Sequence, residues 1–193
     1  MARTAIATSG KENEGKMDSL APVTDPARLR AAFACFPSGV AAICALVNEA
    51  PAGLAASSFT SVSLTPPLVS ICVRNESETW PLLRGCARLG LSILAEHHGP
   101  TCRTLSAKGG DRFAGVDWLA NPDGSVLMDG ASARMVVSVH NEVEAGDHVL
   151  ALLRVHGLAA DSHIPPLVFH GSRFRRLAAT DDSMTGRAGE PNR

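Results

Sequence analysis

Residues 51 to 73 read PAGLAASSFTSVSLTPPLVSICV, a hydroxyl-rich segment running into an apolar one. Its second half, Pro67 to Val73, is a short apolar run set off by prolines, the pattern of a buried strand. Ahead of it, serine and threonine hydroxyls are packed between two apolar strands.

Working outward, the same strand pattern recurs in VAAICALV (Val40 to Val47), RLGLSIL (Arg88 to Leu94), ARMVVSVHNEV (Ala133 to Val143) and HVLALLRVHGL (His148 to Leu158). A sixth strand, from Leu167 to Phe169 and on through Phe174, closes the domain. One helix precedes the strands, with Thr24 or Asp25 as N-cap, Pro26 in the first turn, and Leu29, Ala32, Phe33 and Phe36 on one face. Pro37 and Gly39 end it. Two short helices interrupt the strands: Ser77 caps one through Trp80, Leu82 and Leu83, and Pro100 opens another that ends before Gly109-Gly110. Strands joined mainly by turns, without βαβ alternation, predict a mainly β, largely antiparallel barrel with peripheral short helices. A parallel dinucleotide-binding sheet is disfavoured.

With 193 residues and 45% hydrophobic content, the chain has the size of one globular domain with a real core. Residues 1–22 and 178–193 lack periodic apolar positions and read as tails, so the domain is expected over 23–177. A net charge of -1 without a Lys/Arg block removes the electrostatic footprint of a nucleic-acid binder and leaves a small-molecule ligand. Neither a signal-peptide core nor a run of apolar residues long enough to span a membrane occurs, so a cytoplasmic protein is expected. The five cysteines form no CxxC pair, which argues against a zinc site or a disulfide framework. Tyrosine is absent and aromatics make up 4%, so a ligand here meets backbone and small side chains in place of an aromatic cage.

The glycine-rich nucleotide motifs, the nucleophile elbow and the HExxH helix are all missing. His156, His163 and His170 recur every seven residues, but Pro165-Pro166 rules out a shared helix face, and no metal is expected.

Two readings of residues 51–73 follow from their chemistry. They form a solvated edge strand, or else Gly53 and the alanines let the backbone approach a flat ligand while Ser57, Ser58 and nearby amides bond its polar edge. Five blocks in order decide between them: LRAAFACFPSGVAAICA (29–45), GLAASSFTSVSLTPPLVSICV (53–73), KGGDRFAGVDW (108–118), GDH (146–148) and PLVFHGSRFRRL (166–177). Across nearly the whole domain the chain resembles the flavin reductase domain family of FMN-binding split barrels, which includes reductase components of two-component flavin monooxygenases.

The resemblance implies a six-stranded antiparallel Greek-key split barrel that forms a homodimer, with FMN or FAD near the subunit interface. It implies that Gly53, Leu54, Ala55, Ser57 and Ser58 line the isoalloxazine and ribityl chain, and that Cys72, Val73, Arg74, Ser77 and Thr79 reach the ribityl phosphate. Lys108 and Arg112 are further candidates for phosphate or adenosine contacts, although a solvated loop would carry the same residues, and Leu105 is expected on the same cofactor. Glu76 and Glu78 depart from what a phosphate site would choose and are expected to point outward. By the same resemblance His148 of the GDH triplet contacts the nicotinamide of NADH or NADPH, with His170 and Phe174 bordering it.

The expected activity is therefore hydride transfer from NADH or NADPH to FMN or FAD by proximity and orientation, without a catalytic nucleophile or metal. Reduced flavin would serve a partner monooxygenase. A flavin storage or carrier protein without turnover and a split-barrel flavin oxidase are the rival readings.

Overall fold

The computed structural model describes residues 22–178, so all but one residue of each tail expected at 1–22 and 178–193 lies outside the described residues. Helix α1 (Pro26–Phe33) is followed by β1 (Ser38–Gly39), β2 (Ala41–Val47), β3 (Ala50–Ala56), β4 (Thr60–Leu64) and β5 (Pro67–Arg74). Then come α2 (Trp80–Leu83), β6 (Leu89–Ile93), a 3-10 turn (Glu96–His98), α3 (Gly99–Leu105), β7 (Trp118–Ala120) and β8 (Val126–Met128). Two long strands, β9 (Ala133–Ala145) and β10 (His148–Ala160), precede a closing hairpin of β11 (Val168–His170) and β12 (Arg173–Arg175).

The mainly β, antiparallel expectation holds, but the strand count differs. The main sheet has seven strands in the order β3-β2-β6-β9-β10-β5-β4. The hydroxyl-rich stretch supplies the two strands at the open edges, β3 and β4, which apolar runs alone do not reveal. The anticipated sixth strand is instead two short ones, paired in a separate three-stranded sheet with β1. The sheet rolls until β3 touches β5, five places away in the strand order, without forming a ladder with it.

Strand β2 shows why its sequence is so small and apolar. Ala41, Ile43 and Ala45 face one cluster with Ile71, Leu83, Leu89, Leu91, Val137 and Leu153, inside the roll. Val40 just before it, with Ala42 and Cys44, faces a second cluster with Leu94, Leu105, Phe113, Val126, Met128 and Leu167. A strand buried on both faces cannot alternate with polar residues. Gly90 on β6 has a similar explanation, since a Cβ there would lie 2.0 Å from the Val126 carbonyl oxygen where β8 crosses.

Asp25 caps α1 by accepting from the Ala27 amide at 2.8 Å, and Pro26 sits in the first turn. The helix nevertheless buries none of its residues, and its apolar face is uncovered, with Phe33 70% exposed. Ser77 Oγ accepts from the Trp80 amide at 3.1 Å and holds the start of α2. Helix α3 carries Pro100 in its first turn and ends before Gly109-Gly110, as expected.

Candidate functional site

Where β3 and β5 part, a cavity of about 740 Å3 opens between them. One wall is the end of β3 and the chain after it, with Leu54, Ala55, Ser57 and Ser58. The opposite wall is the end of β5 and the turn into α2, with Cys72, Val73, Arg74, Ser77 and Thr79. Leu105 at the end of α3 and Lys108 beyond it close a third side, and His148 at the start of β10 joins the rim. The sequence-predicted flavin residues therefore converge on one cavity, apart from Gly53.

Gly53 faces the core. A Cβ on it would lie 2.4 Å from Cys44 Sγ and 3.0 Å from Phe113 Cζ, so the space a side chain would need is taken up by core packing. Glu76 and Glu78 border the cavity and are both exposed to solvent. Three cations, Arg74, Lys108 and Arg112, stand on the same cavity. A site with two carboxylates and three cations carries a net positive charge, which suits a bound anion.

Several side chains here are held before any ligand arrives. Arg112 Nη1 donates to Thr79 Oγ1 at 2.7 Å. Thr79 keeps its own hydroxyl proton, and Ser77, whose oxygen accepts from Trp80, keeps its proton too. Trp80 is itself fixed by Glu142, whose Oε1 accepts from the indole Nε1 at 2.7 Å while Oε2 pairs with Arg84 at 2.7 Å. Neither Glu142 nor Asn75 stands out in the sequence. Asn75 joins the β5 turn to the β9–β10 hairpin through its amide to Asp147 O at 3.0 Å and its side chain to Gly146 O at 3.1 Å.

That tie sets His148 opposite Arg74 in the ladder. His148 Nδ1 lies 2.7 Å from Asp147 Oδ1, which leaves Nε2 without a protein partner among the described residues. The hydrogen bond from His148, followed by the charge of its ring, holds the Asp147 carboxyl below the usual carboxylate range.

A smaller apolar cavity of about 260 Å3 adjoins the first, sharing Ala55, Ala56, Ser57 and Ser106 with it. Phe174 lines it, set edge-on to Phe169 at 5.8 Å with the Arg103 guanidinium 5.1 Å from its ring centre. Cys102 lines it too, and burial pushes its thiol up, so it is held protonated. His170, the other residue expected beside the nicotinamide, lines neither cavity. His156, His163 and His170 stand on β10, a turn and β11, where their seven-residue spacing has no common face.

The family model of the flavin reductase like domain matches residues 33–178. An NADH-dependent FAD reductase from Streptomyces globisporus is 36% identical over 169 residues, covering 85% of this chain and 91% of that protein. The reductase subunit of a flavin-dependent monooxygenase from Rhodococcus jostii is 32% identical over 154 residues, covering 80% and 79%. Among solved structures, the Streptomyces globisporus NADH:FAD oxidoreductase in complex with NAD and FAD fragments superposes with a TM-score of 0.77 at 34% identity, covering 84% of this chain and 100% of that one. The chain belongs to the flavin reductase like domain family.

Proposed function

We propose that this chain is an NAD(P)H-dependent flavin reductase, transferring a hydride from NADH or NADPH to FMN or FAD. The observation that carries the proposal is the cleft between the β3 and β5 walls, with three cations on its border, in a chain of this family.

The residues fit a flavin. The cavity volume falls in the range of small-molecule sites, and the walls offer hydroxyls and short apolar side chains along a slot. A bound flavin supplies the hydride acceptor. Arg74, Lys108 and Arg112 hold the phosphate, and the free protons of Ser77 and Thr79 are available to bond it. Leu54, Ala55, Ser57 and Val73 line the slot for the ring system and ribityl chain. His148, with its Nδ1 held by Asp147, would use Nε2 to orient the carboxamide of the hydride donor. The apolar cavity lined by Phe174 would take the apolar side of the nicotinamide. Nothing in this arrangement calls for a nucleophile, so orientation supplies the rate.

The sheet is read as a split barrel that dimerises. Phe36 at 77%, Leu64 at 93% and Leu158 at 69% exposure are large apolar side chains whose burial against a second copy would be favourable. Supply of reduced flavin to a monooxygenase is supported by relatives named as reductase subunits of such systems. A cytoplasmic location accords with five unpaired cysteines and with the absence of a described helix long and apolar enough to cross a membrane.

Steady-state oxidation of NADH and NADPH with FMN, FAD and riboflavin in turn tests the proposal. Flavin-dependent consumption of the nicotinamide is expected. Tight flavin binding without consumption means a carrier, and amine-dependent peroxide formation without NADH means an oxidase.

A further inference from the structure

Strand β5 is paired on both sides over only part of its length. β10 accompanies it from Leu68 to Arg74, whereas β4 begins at Thr60, opposite Ser70. Carrying that register on by two residues sets Ser58 opposite Cys72. Here the chain has already turned away toward β3, and the Ser58 side chain takes the place of backbone. Ser58 Oγ accepts from the Cys72 amide at 2.9 Å and donates to the Cys72 carbonyl at 3.0 Å. One hydroxyl therefore satisfies both groups that a continued strand would have paired.

This stitch lies where the two walls of the cavity begin to diverge, with Ser57 and Ser58 on one and Cys72 on the other. We propose that Ser58 is a positioning residue that sets the spacing between the walls of the flavin cleft through Cys72. The inference rests on reading the cleft as a flavin site. A serine hydroxyl has one proton, and that of Ser58 is already given to the Cys72 carbonyl. It has nothing left to donate to a flavin oxygen or ring nitrogen. Replacing it with alanine strips a partner from a half-buried amide and carbonyl and frees the walls to part.

The test compares Ser58→Ala and Ser58→Thr with the wild type by three measurements: amide hydrogen exchange at Cys72 without flavin, flavin affinity by fluorescence quenching, and steady-state kinetics. In Ser58→Ala the Cys72 amide should exchange about tenfold faster, the equivalent of about 1.4 kcal/mol. Its flavin Kd and flavin KM should rise together by about five- to tenfold, with kcat at saturating flavin within about twofold. Ser58→Thr, which keeps the hydroxyl, should restore all of these.

Unchanged exchange at Cys72 in Ser58→Ala overturns the proposal. A fall in kcat with flavin KM unmoved does the same, because it means the hydroxyl acts on the reacting ring. So does Ser58→Thr binding flavin as weakly as Ser58→Ala while its Cys72 amide stays protected. A wild-type protein that binds flavin but oxidises no NAD(P)H refutes the reductase reading alone, and exchange and affinity still judge Ser58. One that binds no flavin overturns both.

Discussion

Gly53→Ala separates the packing role of this glycine from the ligand role its sequence suggests. The new Cβ would sit 2.4 Å from Cys44 Sγ, 3.2 Å from Cys44 Cβ and 3.0 Å from Phe113 Cζ. Nonbonded carbon contacts are comfortable near 3.5 to 4.0 Å, so the nearest overlap exceeds about 1 Å. Cys44 has no exposed surface and lies on β2, held between β3 and β6, so its sulfur cannot swing into solvent. Overpacking of a tight core costs about 1–3 kcal/mol, and an overlap this deep belongs at the upper end. At roughly 2–4 °C per kcal/mol for a domain of this size, Tm should fall by about 6–12 °C. Thermal unfolding followed by circular dichroism measures it. Cys44→Ala removes the clashing sulfur, so the double variant should be more stable than the two single losses predict, with a coupling above about 1 kcal/mol. An unchanged Tm together with weakened flavin binding would show that the glycine serves the ligand after all.

The other predictions concern the cleft and its supports. Arg74→Ala should raise KM for FMN by up to about fivefold, as expected for an exposed ion pair, and leave riboflavin, which has no phosphate, unaffected; equal losses for both would remove Arg74 from the phosphate. Glu142→Leu leaves the buried Trp80 indole N–H without an acceptor and should cost about 1–3 kcal/mol in chemical denaturation, while Arg84→Ala, at the exposed end of the same carboxylate, should cost less than about 1 kcal/mol. His98 accepts from the Ala95 amide through Nδ1 and meets the Asp129 carbonyl through Nε2, with His97, Asp117 and Asp129 as its charged neighbours. Burial, with His97 next, lowers its pKa from the ordinary 6.5, so the unfolded chain takes up its proton first as pH falls. The stability it contributes is full above about pH 6.5 and is lost below, and His98→Gln, which offers an acceptor and a donor without titrating, should flatten Tm between about pH 7 and pH 5.5.

The regular strands were legible because their period is set by burial. Pro67 to Val73 and Ala133 to Val143 are recognisable as strands, since long pairings demand apolar, β-branched residues on at least one face. The edges were not. Ala50–Ala56 is mostly small residues, and Thr60–Leu64 mixes hydroxyls with an exposed Val62 and Leu64, so neither shows the apolar run of a buried strand. Their pairing with β2 and β5 comes from turn geometry, such as Asn48 and Glu49 at positive φ, and not from their own composition. The cap and apolar face mark the helix at Pro26–Phe33 in the sequence, but nothing in the sequence shows that this face is left uncovered.

The site was legible as a set of residues and illegible as a set of roles. A hydroxyl that contacts a ligand and one that completes a ladder are the same letter. Ser58 both accepts from and donates to the Cys72 backbone, which leaves it no proton for a ligand. Ser77 and Thr79, by contrast, accept from protein donors and keep their protons free on the cavity. What separates the two kinds is whether a neighbouring strand has ended, and that depends on the register of β4 against β5, a property of two segments together. The serine-rich stretch is thus one design meeting two demands: it must leave the ladder to open a cleft, and it must satisfy the backbone it abandons. A hydroxyl at Ser58 meets the second demand without closing the first, where a longer β4 would have filled the cleft.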